Sequence, residues 1–231
     1  LAAATACAPL SASPPEAPAT PRASPVQGQA MVAAANPLAV EAGLDVLRRG
    51  GSAVDAAVAV QAVLGLVEPQ SSGLGGGAFM VHYDAETGKV TAYDGRETAP
   101  AAATPALFLD ADGEPLPFFT ALLSGRSTGV PGAVAMLHMA QKDHGRLAWP
   151  SLFEGAERLA SEGFVVSPRL EGMIDSRAPQ AAQPDALAYF TKPDGTKYRA
   201  GDVLKNPAYA ATLRKIAAEG PDALLEGEIA R

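Results

Sequence analysis

The sequence predicts an α+β fold, and three observations carry that prediction. Capped helical patterns begin near residue 36, two short strand-like stretches follow at 79–83 and 89–93, and helical patterns return from residue 131 onward. A short loop, and not a helix, joins the two strand-like stretches, so the βαβ alternation of a parallel sheet is missing. Helices on either side of an antiparallel hairpin are typical of the α+β class.

The first helix is predicted from the signals at its two ends. Asn36 has a side chain that caps helix N-termini, and Pro37 follows at the position where a missing N–H costs nothing. The helical pattern then covers residues 38–49 and ends at Gly50-Gly51. Two arginines precede these glycines, at the negative end of the helix dipole, where positive charge is stabilising.

The second helix is predicted over residues 52–67. Ser52 and Asp55 have the spacing of a capping box, in which each side chain bonds the backbone N–H of the other residue. The stretch is apolar on nearly every side, so we expect the helix to be buried on most of its faces. Pro69 ends the helix, because proline cannot continue it.

Beyond the second helix the pattern changes to short strands and irregular chain. Residues 79–83 and 89–93 form a predicted hairpin around the loop 84–88, which has a glycine at its end. A Pro/Ala-rich stretch over 100–128 then leads into the later helices. These are predicted at 118–123, 131–144, 151–162 and 207–220, and a last helix is predicted over 221–230.

Composition and charge exclude several classes of function. The chain has 231 residues and a formal net charge of −7, and its sequence contains no basic stripe of the kind that binds nucleic acid. The longest apolar run, 53–67, is shorter than the ~20 residues that a membrane-spanning helix needs. Cys7 is the single cysteine, which excludes an intramolecular disulfide framework and a cysteine-based metal site.

Residues 1–28 differ in composition from the rest of the chain and are dominated by Pro, Ala and Ser. Such a segment cannot bury enough apolar surface to offset the entropy of ordering, so we expect a disordered linker. Residues 4–7, Ala-Thr-Ala-Cys, resemble the end of a bacterial lipoprotein signal peptide. This makes Cys7 a candidate lipid anchor and predicts a periplasmic or secreted protein. The alternative is an ordinary secretory signal remnant with an incidental cysteine.

A glycine-rich loop separates the second helix from the first strand. Four of its five residues, 73 to 77, are glycine, which predicts backbone with positive φ or very close approach. The loop formally matches G-x-G-x-x-G/A, but a dinucleotide site requires a strand before the glycines and a helix after them. The order here is helix, loop, strand. The sequence therefore disfavours a nucleotide site and leaves a tight structural loop or a pocket lining.

Arg96 is the candidate binding residue. It lies in the segment 94–100, Asp-Gly-Arg-Glu-Thr-Ala-Pro, directly after the predicted hairpin. One interpretation is a surface ion pair with Asp94 or Glu97. The other is a carboxylate-binding role, because a guanidinium offers two parallel N–H donors on a planar fork.

Metal, cofactor and serine-nucleophile chemistry have no support in the sequence. His82, His138 and His144 are scattered, and no H-E-x-x-H or other metal-ligand spacing is present. No G-x-S-x-G nucleophile motif is present either. The serine and threonine of segment 126–132, Arg-Ser-Thr-Gly-Val-Pro-Gly, are expected to cap and turn the chain. We therefore predict no cofactor and no metal within this chain.

Several of these motifs, in this order, resemble the γ-glutamyltransferases. The similarity runs from about residue 30 to 231. It includes Asn-Pro-Leu-Ala at 36–39, Gly-Gly-Ser-Ala-Val-Asp-Ala at 50–56, the glycine loop, the Arg96 segment, Gly-Val-Pro-Gly at 129–132 and Glu-Gly-Phe at 162–164. The resemblance implies an N-terminal-nucleophile hydrolase with an αββα sandwich, incomplete because residues 29–231 correspond to the first part of a large subunit.

The same resemblance implies a mechanism. A precursor cuts itself into a large and a small subunit, and the new N-terminal threonine of the small subunit attacks γ-glutamyl amides such as glutathione. The acyl group then passes to water or an amino acid, and Arg96 holds the glutamyl α-carboxylate. The processing threonine is expected beyond Arg231, so this chain alone is expected to be inactive.

Two alternatives remain open from the sequence. The first is another amidase on the same fold, either a glutaryl-type β-lactam acylase or a poly-γ-glutamate depolymerase. Arg96 does not separate these enzymes, because each of them cuts an amide that has a carboxylate nearby. The second is a non-enzymatic exported lipoprotein that uses the fold as a binding module.

Overall fold

The computed structural model describes residues 30–230. The predictions for residues 1–28, including the lipid anchor at Cys7, fall outside the described residues. Within 30–230 the chain forms helices and two separate two-stranded antiparallel sheets. The helices are α1 (Pro37–Arg48), α2 (Ala53–Val67), α3 (Phe118–Leu122), α4 (Ala133–His144), α5 (Glu154–Glu162), α6 (Pro168–Ile174), α7 (Pro184–Phe190), α8 (Pro207–Glu219) and α9 (Asp222–Leu225). The strands are β1 (Ala78–Tyr83), β2 (Val90–Gly95), β3 (Phe164–Val165) and β4 (Val203–Leu204).

The first two helices form at the capping residues that predict them. The Asn36 side chain accepts a hydrogen bond from the Leu38 N–H at 3.0 Å. At the start of α2 the Asp55 N–H donates to Ser52 Oγ at 3.1 Å, and the Ser52 N–H donates to Asp55 Oδ2 at 2.9 Å. The two helices pack along each other, and most of α2 is buried. The prediction of a helix buried on most faces is confirmed.

Asp55 does more than cap its helix. Its side chain is fully buried, and Oδ2 also accepts from the backbone N–H groups of Arg146 at 2.8 Å and Leu147 at 3.2 Å. Gln141 donates to Oδ1 at 3.3 Å. Burial alone would raise the pKa of this carboxyl, but the hydrogen bonds, led by that from Ser52, outweigh it and lower the pKa below its usual value. The carboxylate therefore fastens the chain after α4 to the start of α2.

The hairpin is antiparallel, with Ala78 opposite Gly95 and Tyr83 opposite Val90. The second strand begins one residue and ends two residues later than the prediction of 89–93, because the ladder follows β1 back as far as Gly95. Met80 and His82 lie on the inner face with Tyr93, which is buried. The outer face exposes Phe79, Val81, Tyr83 and Val90.

Two of the helices predicted for the C-terminal half have different ends in the structure. The helix predicted over 151–162 is a short 3₁₀ turn, Trp149–Leu152, followed by α5 at Glu154. The helix predicted over 221–230 ends at Leu225, because the N–H groups of Glu226 and Gly227 both bond the Asp222 carbonyl and turn the chain. No helix in the described part of the chain is long and apolar enough to cross a membrane.

A buried carboxylate, paired with a half-exposed arginine, joins the N-terminal helices to α6. The Glu68 side chain, 2% exposed, accepts from Asn36 Nδ2 at 3.2 Å and from Gln70 Nε2 at 2.6 Å. Arg169 Nε lies 2.8 Å from Glu68 Oε2. A buried carboxylate is tolerated when its oxygens are bonded and its charge is paired. Asn36 therefore caps α1 and also anchors the end of α2.

Candidate functional site

Three segments that are distant in the sequence meet at the N-terminus of α4. They are the glycine loop (73–77), the arginine segment (96–98) and the turn 129–132. The Gly76 carbonyl accepts from the N–H groups of Gly132 at 3.2 Å and Ala133 at 3.0 Å, and the Val130 N–H donates to the Thr98 carbonyl at 2.8 Å. Three motifs that are separate in the sequence therefore form one site.

Close backbone approach explains the glycine at Gly77. A Cβ there would lie 2.8 Å from the Gly95 carbonyl oxygen and would overlap the carboxylate of Glu97. Gly73 and Gly75 differ, because a Cβ at either position would meet nothing within 4 Å. No glycine of the loop has positive φ. A Cβ on Gly76 would make an ordinary contact of 3.6 Å with Glu97 Oε1. The expectation of positive φ or close approach is thus correct for Gly77 and wrong for Gly73, Gly75 and Gly76.

Arg96 follows the last residue of β2 and extends into solvent. Its side chain is 72% exposed, and Nε lies 3.6 Å from Oε2 of Glu97. The backbone N–H of Arg96 donates to Asp94 Oδ1 at 2.8 Å, so Asp94 fixes the backbone. The ion pair that the sequence left open is present, and its partner is Glu97. The guanidinium remains accessible to a carboxylate.

Glu97 is a site residue that the sequence analysis did not select. Its Oε1 accepts the Gly77 N–H at 2.7 Å. The bond to its own backbone N–H, the bond from Gly77 and the charge of Arg96 together lower the pKa of Glu97, with desolvation opposing them. An acidic residue directly after the arginine was a signal in the sequence, but it does not reveal that the glycine loop lies within reach.

Two of the three histidines meet beneath the hairpin. The rings of His82 and His144 stack with centroids 3.9 Å apart, and Tyr93 meets His144 edge-on. Burial and the hydrogen bond from the Tyr93 hydroxyl to Asp143 raise the pKa of Tyr93 to about 12. These contacts hold the hairpin against α4. Among residues 30–230 no three His, Cys, Asp or Glu side chains are grouped closely enough to hold a metal ion.

The hydroxyl group of Ser127, near the site, serves the local backbone. Ser127 Oγ lies 2.9 Å from the carbonyl oxygens of both Leu122 and Ser124. This agrees with the expectation that segment 126–132 supplies turn residues.

A separate cavity of about 620 Å³ lies between α6, α7 and residues 69–71. Arg96 does not line it.

Comparison with known proteins identifies the family. The model of the Gamma-glutamyltranspeptidase family matches residues 39–231. The chain belongs to the γ-glutamyltranspeptidase family. It is 40% identical over 201 residues to the glutathione hydrolase proenzyme of Bacillus subtilis (strain 168), an alignment that covers 87% of this chain and 34% of the relative. The chain thus spans about a third of the length of that γ-glutamyltranspeptidase relative.

Solved structures of a γ-glutamyltranspeptidase and of an acylase share the fold. The enzyme from Pseudomonas nitroreducens, complexed with L-DON, superposes with a TM-score of 0.78 at 34% identity, over 88% of this chain and 58% of that one. The cephalosporin acylase of Bacillus halodurans superposes with a TM-score of 0.68 at 30% identity, over 84% of this chain and 37% of that one. The predicted α+β class and the incomplete N-terminal-nucleophile hydrolase fold are confirmed.

Proposed function

We propose that this chain is the N-terminal part of a γ-glutamyltransferase precursor with glutathione hydrolase activity. The mature enzyme cleaves γ-glutamyl amides and passes the glutamyl group to water or to an amino acid. The observation that carries the proposal is the meeting of the glycine loop, the arginine segment and the turn 129–132 around one accessible guanidinium. The family of the chain and the name of its Bacillus relative support the activity.

Arg96 binds the α-carboxylate of the glutamyl group in this proposal. A guanidinium donates two parallel hydrogen bonds to a carboxylate, which fixes both the position and the orientation of the substrate. Asp94 holds the backbone of Arg96, and Arg96 directly follows strand β2 of the ordered hairpin. Little freedom of the backbone is therefore lost when substrate binds.

The nucleophile belongs to the part of the precursor that this chain does not match. The Bacillus relative is named a proenzyme, and the alignment covers 34% of its length. We propose that self-cleavage there exposes an N-terminal threonine whose α-amine is the general base. The small subunit made in this way is the partner of the present chain.

We also propose that the protein is exported to the periplasm or secreted, with Cys7 as its lipid anchor. Cell fractionation tests this location.

A second amidase function has one observation in its favour. The fold of this chain is similar to that of a cephalosporin acylase, which supports the cleavage of another amide as a second proposal. A glutaryl side chain also ends in a carboxylate, so Arg96 serves either substrate. The distinction lies in the α-amine, which a γ-glutamyl group has and a glutaryl group lacks.

The experiment compares the full precursor with two variants of Arg96. We expect two fragments on a denaturing gel and hydrolysis of γ-glutamyl-p-nitroanilide. Arg96→Ala and Arg96→Lys each lower kcat/KM at least tenfold, because a charge-assisted pair is worth about 1.5–3 kcal/mol and lysine lacks the fork. Self-cleavage persists in both variants, since it involves no glutamyl ligand.

Three outcomes would contradict the proposal. An uncut, folded precursor without γ-glutamyl hydrolysis favours a non-enzymatic binding module. Faster cleavage of a glutaryl than of a γ-glutamyl anilide favours the acylase. A normal kcat/KM for Arg96→Ala removes the role of the arginine.

A further inference from the structure

Glu97 contacts the two parts of the site at the same time. One carboxylate oxygen accepts the Gly77 N–H at 2.7 Å, and the other lies 3.6 Å from Arg96 Nε. The Glu97 side chain is 32% exposed, against 72% for Arg96. The glutamate is therefore the more enclosed member of the pair and the arginine the more exposed one. An ion pair between two freely moving surface side chains has no such asymmetry.

The backbone around Glu97 leaves room for this side chain and for little else. A Cβ on Gly77 would overlap the Glu97 carboxylate, and a Cβ on Gly129 would lie 2.7 Å from the Glu97 Cβ. Two of the glycines in the joined motifs thus border one glutamate. The Thr98 carbonyl, one residue further, accepts from Val130 at 2.8 Å and holds the segment between the loop and the turn.

Among residues 30–230, the ion pair leaves the carboxylate-binding edge of Arg96 free. The closest approach to Glu97 is through Nε, the donor nearest the backbone. The edge formed by Nη1 and Nη2 is the one that grips a carboxylate end-on with two parallel N–H groups. A partner that holds Nε restricts the rotation of the guanidinium without occupying that edge.

We propose that Glu97 is a positioning residue that fixes the Arg96 guanidinium relative to the glycine loop, so that the arginine recognises the substrate α-carboxylate. The inference rests on the proposed function and adds a residue to it. Glu97 itself touches no substrate. Its removal lowers discrimination for the α-carboxylate while the chemical step continues.

The test uses the full precursor and two substrates that differ only in the α-carboxylate. These are γ-glutamyl-p-nitroanilide and 4-aminobutyryl-p-nitroanilide, which keeps the amine. Glu97→Gln retains an oxygen that accepts the Gly77 N–H but loses the charge that holds Arg96. The matched control is Glu86→Gln, which makes the same chemical change in the hairpin loop, at the opposite end of the sheet.

For Glu97→Gln we expect KM for the γ-glutamyl substrate to rise about fivefold, the effect of losing an exposed ion pair. Its kcat and the rate on the 4-aminobutyryl substrate stay within twofold, so the preference for the α-carboxylate falls. Glu86→Gln matches the wild type on both substrates. The thermal midpoint of Glu97→Gln stays close to that of the wild type.

The outcomes separate this inference from the proposed function. Wild-type turnover of the γ-glutamyl substrate with an unchanged preference in Glu97→Gln overturns the positioning role alone. Equal losses on both substrates, or a large fall in the thermal midpoint, assign Glu97 to the fold and also overturn it. A wild-type precursor that turns over neither substrate overturns the proposed function and this inference with it.

Discussion

Asp55 illustrates how much a single buried carboxylate does in this fold. The capping-box spacing predicts its contact with Ser52, and that contact forms. The bonds from Arg146 and Leu147 arise from residues about ninety positions away, and no local pattern announces them. A residue that satisfies local and distant N–H groups together is expected to be among the most sensitive positions for stability.

The first stability prediction concerns Asp55→Ala. Removing the carboxylate leaves the N–H groups of Arg146 and Leu147 without their acceptor, at about 1–3 kcal/mol for each buried donor that stays unpaired. Since both donors are only partly buried, we expect a total loss of about 2–4 kcal/mol, measured by urea unfolding of the present chain. Asp55→Asn should lose less, because one oxygen remains.

Asp45→Ala is the control for this change. Asp45 is 59% exposed and pairs with Arg49 at 3.1 Å, so its loss is expected to cost less than about 0.5 kcal/mol. The folded pKa of Asp55 lies below its ordinary value, so its contribution is present above about pH 4 and is lost as the pH falls further. Equal destabilisation by the two alanine variants would contradict the assignment.

The residues of the candidate site also divide into those that the sequence identifies and those that only the structure reveals. Arg96 was selectable from the sequence because its segment matches a family motif, and the structure places its guanidinium in solvent. Glu97 was not selectable, because its importance depends on a contact with Gly77, twenty positions earlier. The same holds for His82 and His144, which are far apart in sequence and stacked in space.

At the scale of the elements, the capping residues at the helix ends determined which helices could be predicted from the sequence. Helices α1, α2 and α8 begin with a side-chain cap and were placed within two residues of their observed ends. Helices α6 and α7 have seven residues each and were missed, although α6 has Ser167 as its cap, because so short a stretch shows no apolar period. Strands β3 and β4 have two residues each, too few for alternation to be visible.

Helix α4 provides a pH-dependent contact between elements. The ring of His138 meets Trp149 edge-on at 4.8 Å, and the Trp149 N–H donates to the Ile216 carbonyl of α8 at 2.9 Å. Desolvation, together with the charge of Lys142, lowers the pKa of His138 below 6.5, and Asp222 opposes this shift. The folded state therefore favours the neutral ring.

We expect this contact to weaken in mild acid. A group with a lowered folded pKa contributes stability that is present above its unfolded pKa and is lost as the pH falls through the folded value. The free energy of unfolding of the wild type should thus fall below pH 6.5, the ordinary value for His138. His138→Phe keeps an aromatic ring against Trp149 and should show a smaller fall. Urea unfolding followed by Trp149 fluorescence measures both, and parallel pH profiles would refute the role.

At the scale of the whole molecule, the described residues cover only one face of the hairpin. Two strands are marginal alone, and a hairpin becomes stable through further strands or through packing against a helix. The inner face of β1 and β2 packs on α4. On the outer face Phe79, Val81, Tyr83 and Val90 are each 62–72% exposed. A contiguous apolar surface of this kind marks an interface in a folded protein.

The last prediction concerns this outer face. In the described part of the 231-residue chain, four large apolar side chains meet water, so we expect self-association that increases with concentration. Val81→Lys places a charge in the centre of the face and should shift the chain towards monomer in sedimentation velocity. Val203→Lys is the control, because Val203 has comparable exposure, 55%, on the other sheet. A wild-type chain that stays monomeric and binds no hydrophobic dye would show that the face needs no cover. Equal effects of the two lysines would show that added charge, and not this face, controls association.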